Sequence, residues 1–129
     1  MSFVDVIIVG GGPAGLSAAL TLVRQRHTVL VFDTDECRAK PSSLLHDIPG
    51  FENKTPVEAI ATAREELKVY DCYTAHNVEV TSLKAIDGGF QATDKNGATY
   101  NGKKVILANG VVTVFPNVPG YAECWGKGM

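Results

Sequence analysis

The stretch VDVIIVGGGPAGLSAAL, residues 4–20, decides the fold class. Val4 to Val9 is a nearly continuous β-branched run, which is typical of a strand covered on both faces of a parallel sheet. A glycine-rich turn follows, and the apolar spacing from Pro13 onward predicts a helix with proline in its first turn. This order of elements predicts the first half of a strand–helix–strand unit.

The turn matches the pattern G-x-G-x-x-G through Gly10, Gly12 and Gly15. In such a turn Gly10 permits the sharp exit from the strand, Gly12 lets the backbone approach a pyrophosphate, and Gly15 allows close packing of helix and strand. The helix that starts at Pro13 and Ala14 supplies free N–H groups and a partial positive charge for phosphates. The competing interpretation is a tight turn in an unrelated α/β domain.

An acidic residue follows at the expected distance. Thr28 to Phe32 predicts a second, parallel strand that ends in Asp33, which lies 18 residues after Gly15. A carboxylate about 20 residues after the glycines binds a ribose 2′-hydroxyl and repels a 2′-phosphate. The ligand that these residues predict is therefore FAD or NAD rather than NADP.

The rest of the chain predicts one helix and an antiparallel meander. Pro56 to Tyr70 has helical spacing, and Thr55 with Glu58 forms a capping-box pattern. Farther along, glycine turns separate the strand-like runs VEVTSLKAI, FQATD and ATYNGKKVILANG. We therefore expect residues 1–129 to form a single Rossmann-like α/β domain with an inserted β-meander.

Composition narrows the class of partner. The net charge is −2 and there is no basic block, so we expect no nucleic acid partner. No run reaches transmembrane length and the first strand lacks a basic leader, so we expect no membrane association and no signal peptide. The three cysteines form no C-x-x-C pair and no metal-ligand spacing, which predicts a reduced, cytoplasmic setting without a metal site.

Taken in order, DVIIVGGGPAGLSAAL, VLVFD, HDIPGF, the meander and VILANG resemble the N-terminal half of the FAD domain of thioredoxin reductase-like flavoproteins. The tail VPGYAECWGKG is most similar to the fungal branch that oxidises dithiols of gliotoxin-type secondary metabolites. The resemblance implies FAD as cofactor. It also implies that the loop Ala108-Asn109-Gly110, which stands where the family has Ala-Thr-Gly, passes close to the flavin.

Other parts of the family pattern would lie beyond Met129: the redox C-x-x-C, the NADPH domain and a later Gly-Asp segment of the FAD site. Cys124 matches a cysteine upstream of that pair, so we expect a buried or linker thiol and not a redox cysteine. The chain is then either a fragment of a larger flavoenzyme or a short paralogue. The first hypothesis is an FAD-binding oxidoreductase domain that acts on the thiols or disulfide of a small-molecule substrate with its missing half or a partner chain.

The second hypothesis is a flavin-free isomerase, cyclase or ligand-binding protein that uses the vacated cleft, and a third is a regulatory subunit. In either enzyme, His46 beside Asp47 is a candidate general acid or base, and a loop histidine is the alternative interpretation. Arg38 is a candidate for the adenosine phosphates or a solvated loop residue. His76 is expected to face solvent, and a homo-oligomer or a partner is expected to cover Tyr121 and Trp125 at the C-terminal end.

Overall fold

The computed structural model describes residues 3–125 and residue 127. The described elements follow the chain in the order strand, helix, strand, helix and then four strands, with a short helix last. They are β1 (Phe3–Val9), α1 (Pro13–Arg24), β2 (Val29–Asp33), α2 (Pro56–Leu67), β3 (Tyr73–Asn77), β4 (Val80–Ile86), β5 (Gly89–Asp94), β6 (Thr99–Leu107) and α3 (Tyr121–Cys124).

One six-stranded sheet in the order β3-β2-β1-β6-β5-β4 organises these elements. β1 pairs in parallel with β2 and β6, and β2 pairs in parallel with β3. β4, β5 and β6 form the antiparallel meander. The predicted α/β fold class, with a parallel strand–helix–strand unit and a meander, is confirmed.

The sheet buries a different set of side chains on each face, because alternate residues of a strand point to opposite sides. The face that carries α1 and α2 buries Val6 and Ile8 of β1 with Leu16 and Val23 of α1. The opposite face joins the parallel strands to the meander, through the buried residues Ile7, Leu30, Phe32, Val78 and Ala92. The meander therefore packs against the side of the sheet that the helices leave open.

Helix α2 begins as its sequence predicts and ends earlier. The Thr55 hydroxyl accepts a hydrogen bond from the Glu58 N–H (3.2 Å), and the Glu58 carboxylate accepts one from the Thr55 N–H (2.8 Å). The helix ends at Leu67, three residues before the predicted end, and Leu67 is fully buried in the helix-side core. The next residues turn into β3, where the Tyr70 N–H donates to the Leu67 carbonyl.

Strand β3 has no counterpart in the sequence-based prediction. Its residues YTAHN are exposed or half-buried, so they lack the apolar alternation that marks a strand. The prediction that His76 faces solvent is wrong, because its ring stacks on Phe32 and lies against Tyr100, with centroids 5.7 and 5.2 Å away. His76, on the edge strand β3, thus forms an aromatic cluster with Phe32 and Tyr100.

The turn between β5 and β6 is built on a buried carboxylate. Asp94 is 4% exposed and accepts hydrogen bonds from the N–H groups of Asn96 (2.8 Å) and Ala98 (3.0 Å). The Tyr100 hydroxyl donates to its other oxygen at 3.3 Å. These bonds compensate the cost of burying a charged group.

The segment after β6 leaves apolar side chains exposed. Tyr121 and Trp125, expected to need a partner to cover them, are half-buried because they pack with Phe115. Cys124 is exposed beside them, as expected of a linker thiol and not of a buried one. The most exposed apolar residues of this segment are valines: Val111, Val112, Val114 and Val118.

Candidate functional site

A cleft of about 690 Å³ opens at the edge of the sheet where β1, β2 and β6 end. The carboxyl ends of parallel strands are the usual place for a ligand in this class of sheet. The structure brings together there all but one of the residues predicted to bind a nucleotide: Gly10, Gly12, Pro13, Ala14, Asp33, Arg38, Ala108, Asn109 and Gly110. Their binding roles remain predictions.

Two of the three motif glycines are required by packing. A Cβ at Gly15, the one motif residue outside the cleft lining, would lie 1.8 Å from the Gly10 carbonyl oxygen. Gly10 has a φ of 109°, and a Cβ there would lie 2.3 Å from the Ala108 carbonyl oxygen. Gly12 differs, because no atom lies within 4 Å of the position its Cβ would take. Packing within the chain thus explains Gly10 and Gly15, and leaves Gly12 open toward the cleft.

The start of α1 is free to receive an acceptor from a ligand. Gly12 is the N-cap of α1 and no side chain caps the helix. Helix α2, in contrast, satisfies its first N–H groups with its own capping box at Thr55. Because the first N–H groups of a helix need acceptors and carry partial positive charge, the end of α1 at the cleft suits a phosphate.

The predicted ribose-binding acid is held by an arginine that sequence analysis missed. Arg64 of α2 donates from Nη2 to Asp33 Oδ2 at 2.5 Å and to Asp35 Oδ1 at 3.0 Å. Hydrogen bonds from Arg64 and Lys40 hold the pKa of Asp35 below its ordinary value. Partial burial opposes the charge of Arg64, but the bonds to Asp35 and Asp33 outweigh it and raise the arginine pKa. No sequence spacing indicates this contact, because α2 and β2 meet only in the folded chain.

A second group of residues that line the cleft was also not predicted from the sequence. It comes from residues 78–83, at the start of β4, and from Val111 and Val112 after β6. β3 pairs with β2 in parallel so that Asn77 lies beside Asp33, and the chain that follows β3 must therefore start at the cleft. Recognition of β3 would have placed residues 78–83 there.

The HDIPGF loop, residues 46–51, contributes nothing to the described lining of the cleft. His46 Nδ1 lies 2.6 Å from Glu52 Oε1, so the carboxylate that contacts this ring in the structure is that of Glu52 and not that of its neighbour Asp47. The Asp47 N–H donates to the other Glu52 oxygen at 2.9 Å. The bonds to His46 and to the Asp47 N–H lower the pKa of Glu52. A catalytic role for His46 or Asp47 stays a prediction.

The geometry fits a dinucleotide. The uncapped start of α1 at Gly12 and the carboxylate of Asp33, at the end of the neighbouring strand β2, line the same cleft, as the pattern for a dinucleotide requires. In the part of the chain that the structure describes, no cluster of His, Cys, Asp and Glu could hold a metal ion. Nor does any described helix have the length and apolar character needed to cross a membrane. The fold and the site together define a dinucleotide-binding domain.

Comparison with known proteins gives the family. The family model described as pyridine nucleotide-disulphide oxidoreductase matches residues 4–129, so this chain belongs to that family. Membership implies a flavin cofactor.

Individual relatives agree. The chain is 44% identical to thioredoxin reductase tcpT of Claviceps purpurea, with 99% of this chain and 41% of that protein aligned. It is 42% identical to thioredoxin reductase sirT of Leptosphaeria maculans, over 98% of this chain and 39% of the relative. A solved oxidoreductase from Agrobacterium tumefaciens superimposes with a TM-score of 0.93 at 37% identity, over 98% of this chain and 43% of the other.

The chain therefore spans about two fifths of the length of these relatives. The resemblance to the N-terminal part of thioredoxin reductase-like flavoproteins, fungal members included, is confirmed.

Proposed function

We propose that this chain binds FAD in the cleft and forms the nucleotide-binding part of a thioredoxin reductase-like oxidoreductase. The observation that carries the proposal is the uncapped start of α1 at Gly12, which opens on the same cleft as Asp33. The N–H groups of α1 would bind the pyrophosphate and Asp33 the ribose, while Ala108 to Gly110 would border the flavin.

The proposed reaction is electron exchange with the thiols or disulfide of a small metabolite, for which bound FAD would supply the redox chemistry. The residues of this chain would bind and orient the cofactor and exclude water from it. Cys37, Cys72 and Cys124 are free thiols and none belongs to a C-x-x-C pair. A redox dithiol would therefore come from a further segment of a longer enzyme or from a partner chain.

We further propose a second copy or a partner over the C-terminal segment. The support is the exposure of its valines, from 56% at Val118 to 91% at Val112, which is unusual for large apolar side chains without a partner. Free thiols are usual in reducing compartments, which supports a cytoplasmic location.

The test is a titration of the purified chain with FAD, followed by visible absorption and flavin fluorescence. Bound flavin absorbs at about 370 and 450 nm, and transfer into the cleft shifts these bands. Asp33→Ala should weaken FAD binding by roughly tenfold or more, as expected for loss of a hydrogen bond to a charged group.

Asp71→Ala is the matched control. Asp71 forms an exposed ion pair with Arg26 (3.4 Å). It lies just before β3, at the amino end of the parallel strands, whereas the cleft lies at their carboxyl end. It should bind FAD as the unchanged chain does. A chain that leaves the FAD spectrum and fluorescence unchanged at every concentration refutes the proposal and favours a cleft that serves another ligand.

A further inference from the structure

Arg64 is the one described cation that contacts the predicted ribose acid. Its side chain is 36% exposed and that of Asp33 23%, so water screens their contact only in part. The same Nη2 atom reaches Asp33 and Asp35, which lie on either side of the first residue after β2. The contact thus joins α2 to the end of the strand that enters the cleft.

The backbone that carries Arg64 is fixed by the core. Leu67, one turn later, is fully buried, and Ala63, next to Arg64, packs against the same cluster. Because a shift of α2 would open this core, the packing holds the Arg64 backbone at a constant position relative to Asp33.

Asp33 is confined on a second side. A Cβ at Gly11 would lie 2.6 Å from Asp33 Oδ2 and 2.7 Å from its Cβ, so the glycine turn touches the aspartate side chain. The carboxylate is therefore held between the turn and the guanidinium, with Arg64 bonded to the oxygen Oδ2. An aspartate held in this way loses little rotamer entropy when its carboxylate accepts a further hydrogen bond.

An arginine beside this acid either binds a 2′-phosphate of the ligand or holds the carboxylate for a 2′-hydroxyl. In some dinucleotide sites an arginine accommodates a 2′-phosphate. Here Arg64 is shared by Asp33 and Asp35, and Lys40 also pairs with Asp35, so both cations of the group are already paired with carboxylates. The group therefore has no unpaired cation for a phosphate, whereas the Asp33 carboxylate is an acceptor for a hydroxyl.

We propose that Arg64 is a positioning residue that sets selectivity for the ribose 2′-hydroxyl by fixing the Asp33 carboxylate in the cleft. This inference rests on the proposed function, because it concerns how the same nucleotide is recognised. It adds a requirement that the glycine motif does not contain: an arginine of α2 must reach the end of β2.

The experiment compares two probes, ADP and 2′-deoxy-ADP, by calorimetric titration of the full chain. The readout is the ratio of their dissociation constants, because a change that only loosens the fold weakens both probes alike. The unchanged chain should bind ADP on the order of tenfold more tightly, the effect of one hydrogen bond to a carboxylate. Arg64→Ala should lower this ratio to about threefold or less.

Arg26→Ala is the matched control, since Arg26 also pairs with an aspartate but at the opposite edge of the sheet. It should keep the ratio of the unchanged chain. If Arg64→Ala does not fold, Arg64→Lys makes the same comparison, because a single ammonium reproduces the fork of a guanidinium poorly. The lysine variant should also lower the ratio.

The outcomes separate this inference from the proposed function. An Arg64 variant that keeps the full ratio, or weakens both probes equally, overturns the positioning role while the nucleotide site stands. An unchanged chain that binds neither probe, or binds both equally, overturns the predicted role of Asp33 and this inference with it.

Discussion

Replacement of Gly15 with alanine tests how closely α1 approaches the end of β1. The new Cβ would lie 1.8 Å from the Gly10 carbonyl oxygen, whereas side-chain Cβ atoms essentially never come within 3.0 Å of such an atom. Helix and turn must therefore move apart by more than an ångström. Such overpacking costs about 1–3 kcal/mol, and the better helix propensity of alanine returns about 1 kcal/mol.

Because the shift exceeds an ångström, we take the upper part of that cost, about 2–3 kcal/mol, and expect a net loss on the order of 1–2 kcal/mol in the free energy of unfolding. For a chain of this length that corresponds to a fall of roughly 4–8 °C in Tm. Differential scanning calorimetry of the full chain, without added nucleotide, measures it directly.

Gly12→Ala is the matched variant, because its Cβ would meet no atom within 4 Å. The N-cap preference for glycine and the entropy of the unfolded chain oppose each other, so its stability should change by less than about 0.5 kcal/mol. FAD binding should nevertheless weaken, because Gly12 lines the cleft and a methyl group there would hinder the approach of a pyrophosphate to the backbone. Equal Tm values for Gly15→Ala and the unchanged chain would refute the close approach of α1 and the turn.

Two further predictions concern carboxylates of the scaffold. Asp94→Ala should lower the free energy of unfolding, measured in urea, by about 1–3 kcal/mol, because it leaves two turn N–H groups and the Tyr100 hydroxyl without their acceptor. The control Asp87→Ala lies in an exposed turn and should change the free energy of unfolding little. Equal losses in the two variants would contradict the buried hydrogen bonds of Asp94. Lys103, whose Nζ lies 2.7 Å from Asp5, holds the pKa of that carboxyl well below its usual range. The stability from Asp5 is therefore present above the ordinary aspartate pKa of about 3.9 and is lost as pH falls through the lower folded value. Between about pH 6 and pH 3 the unchanged chain should lose stability more steeply than Asp5→Asn, and parallel pH profiles would count against the ion pair.

Local patterns in the sequence predict much of this fold. The β-branched run of β1, the glycine turn and the Thr55 capping box each depend on residues close together in the chain. The glycine turn from Gly10 to Ala14, which lines the cleft, could likewise be predicted as part of the site, because its motif consists of neighbouring residues.

Features that depend on contacts between distant segments escaped prediction. β3 owes its place to hydrogen bonds with β2, since its own side chains carry little hydrophobic pattern. Arg64 and Asp33, which form a hydrogen bond, are 31 residues apart in the chain. His46 contacts Glu52 and not its neighbour Asp47, because the loop folds back and brings Glu52 beside the ring. A site assembled by tertiary contacts is visible in a single sequence only where a motif encodes it.

Strand β6 has a consequence for how the chain folds during synthesis. Its residues from Asn101 to Leu107 pair with β1, and the ion pair beside them joins Asp5 to Lys103, 98 residues apart. Until the ribosome has released residue 107, β1 presents one bare edge of a strand rich in valine and isoleucine. Such an edge invites pairing with other chains. Strand β1 is thus completed long after it has been synthesised, because one of its two partner strands lies about a hundred residues later in the chain.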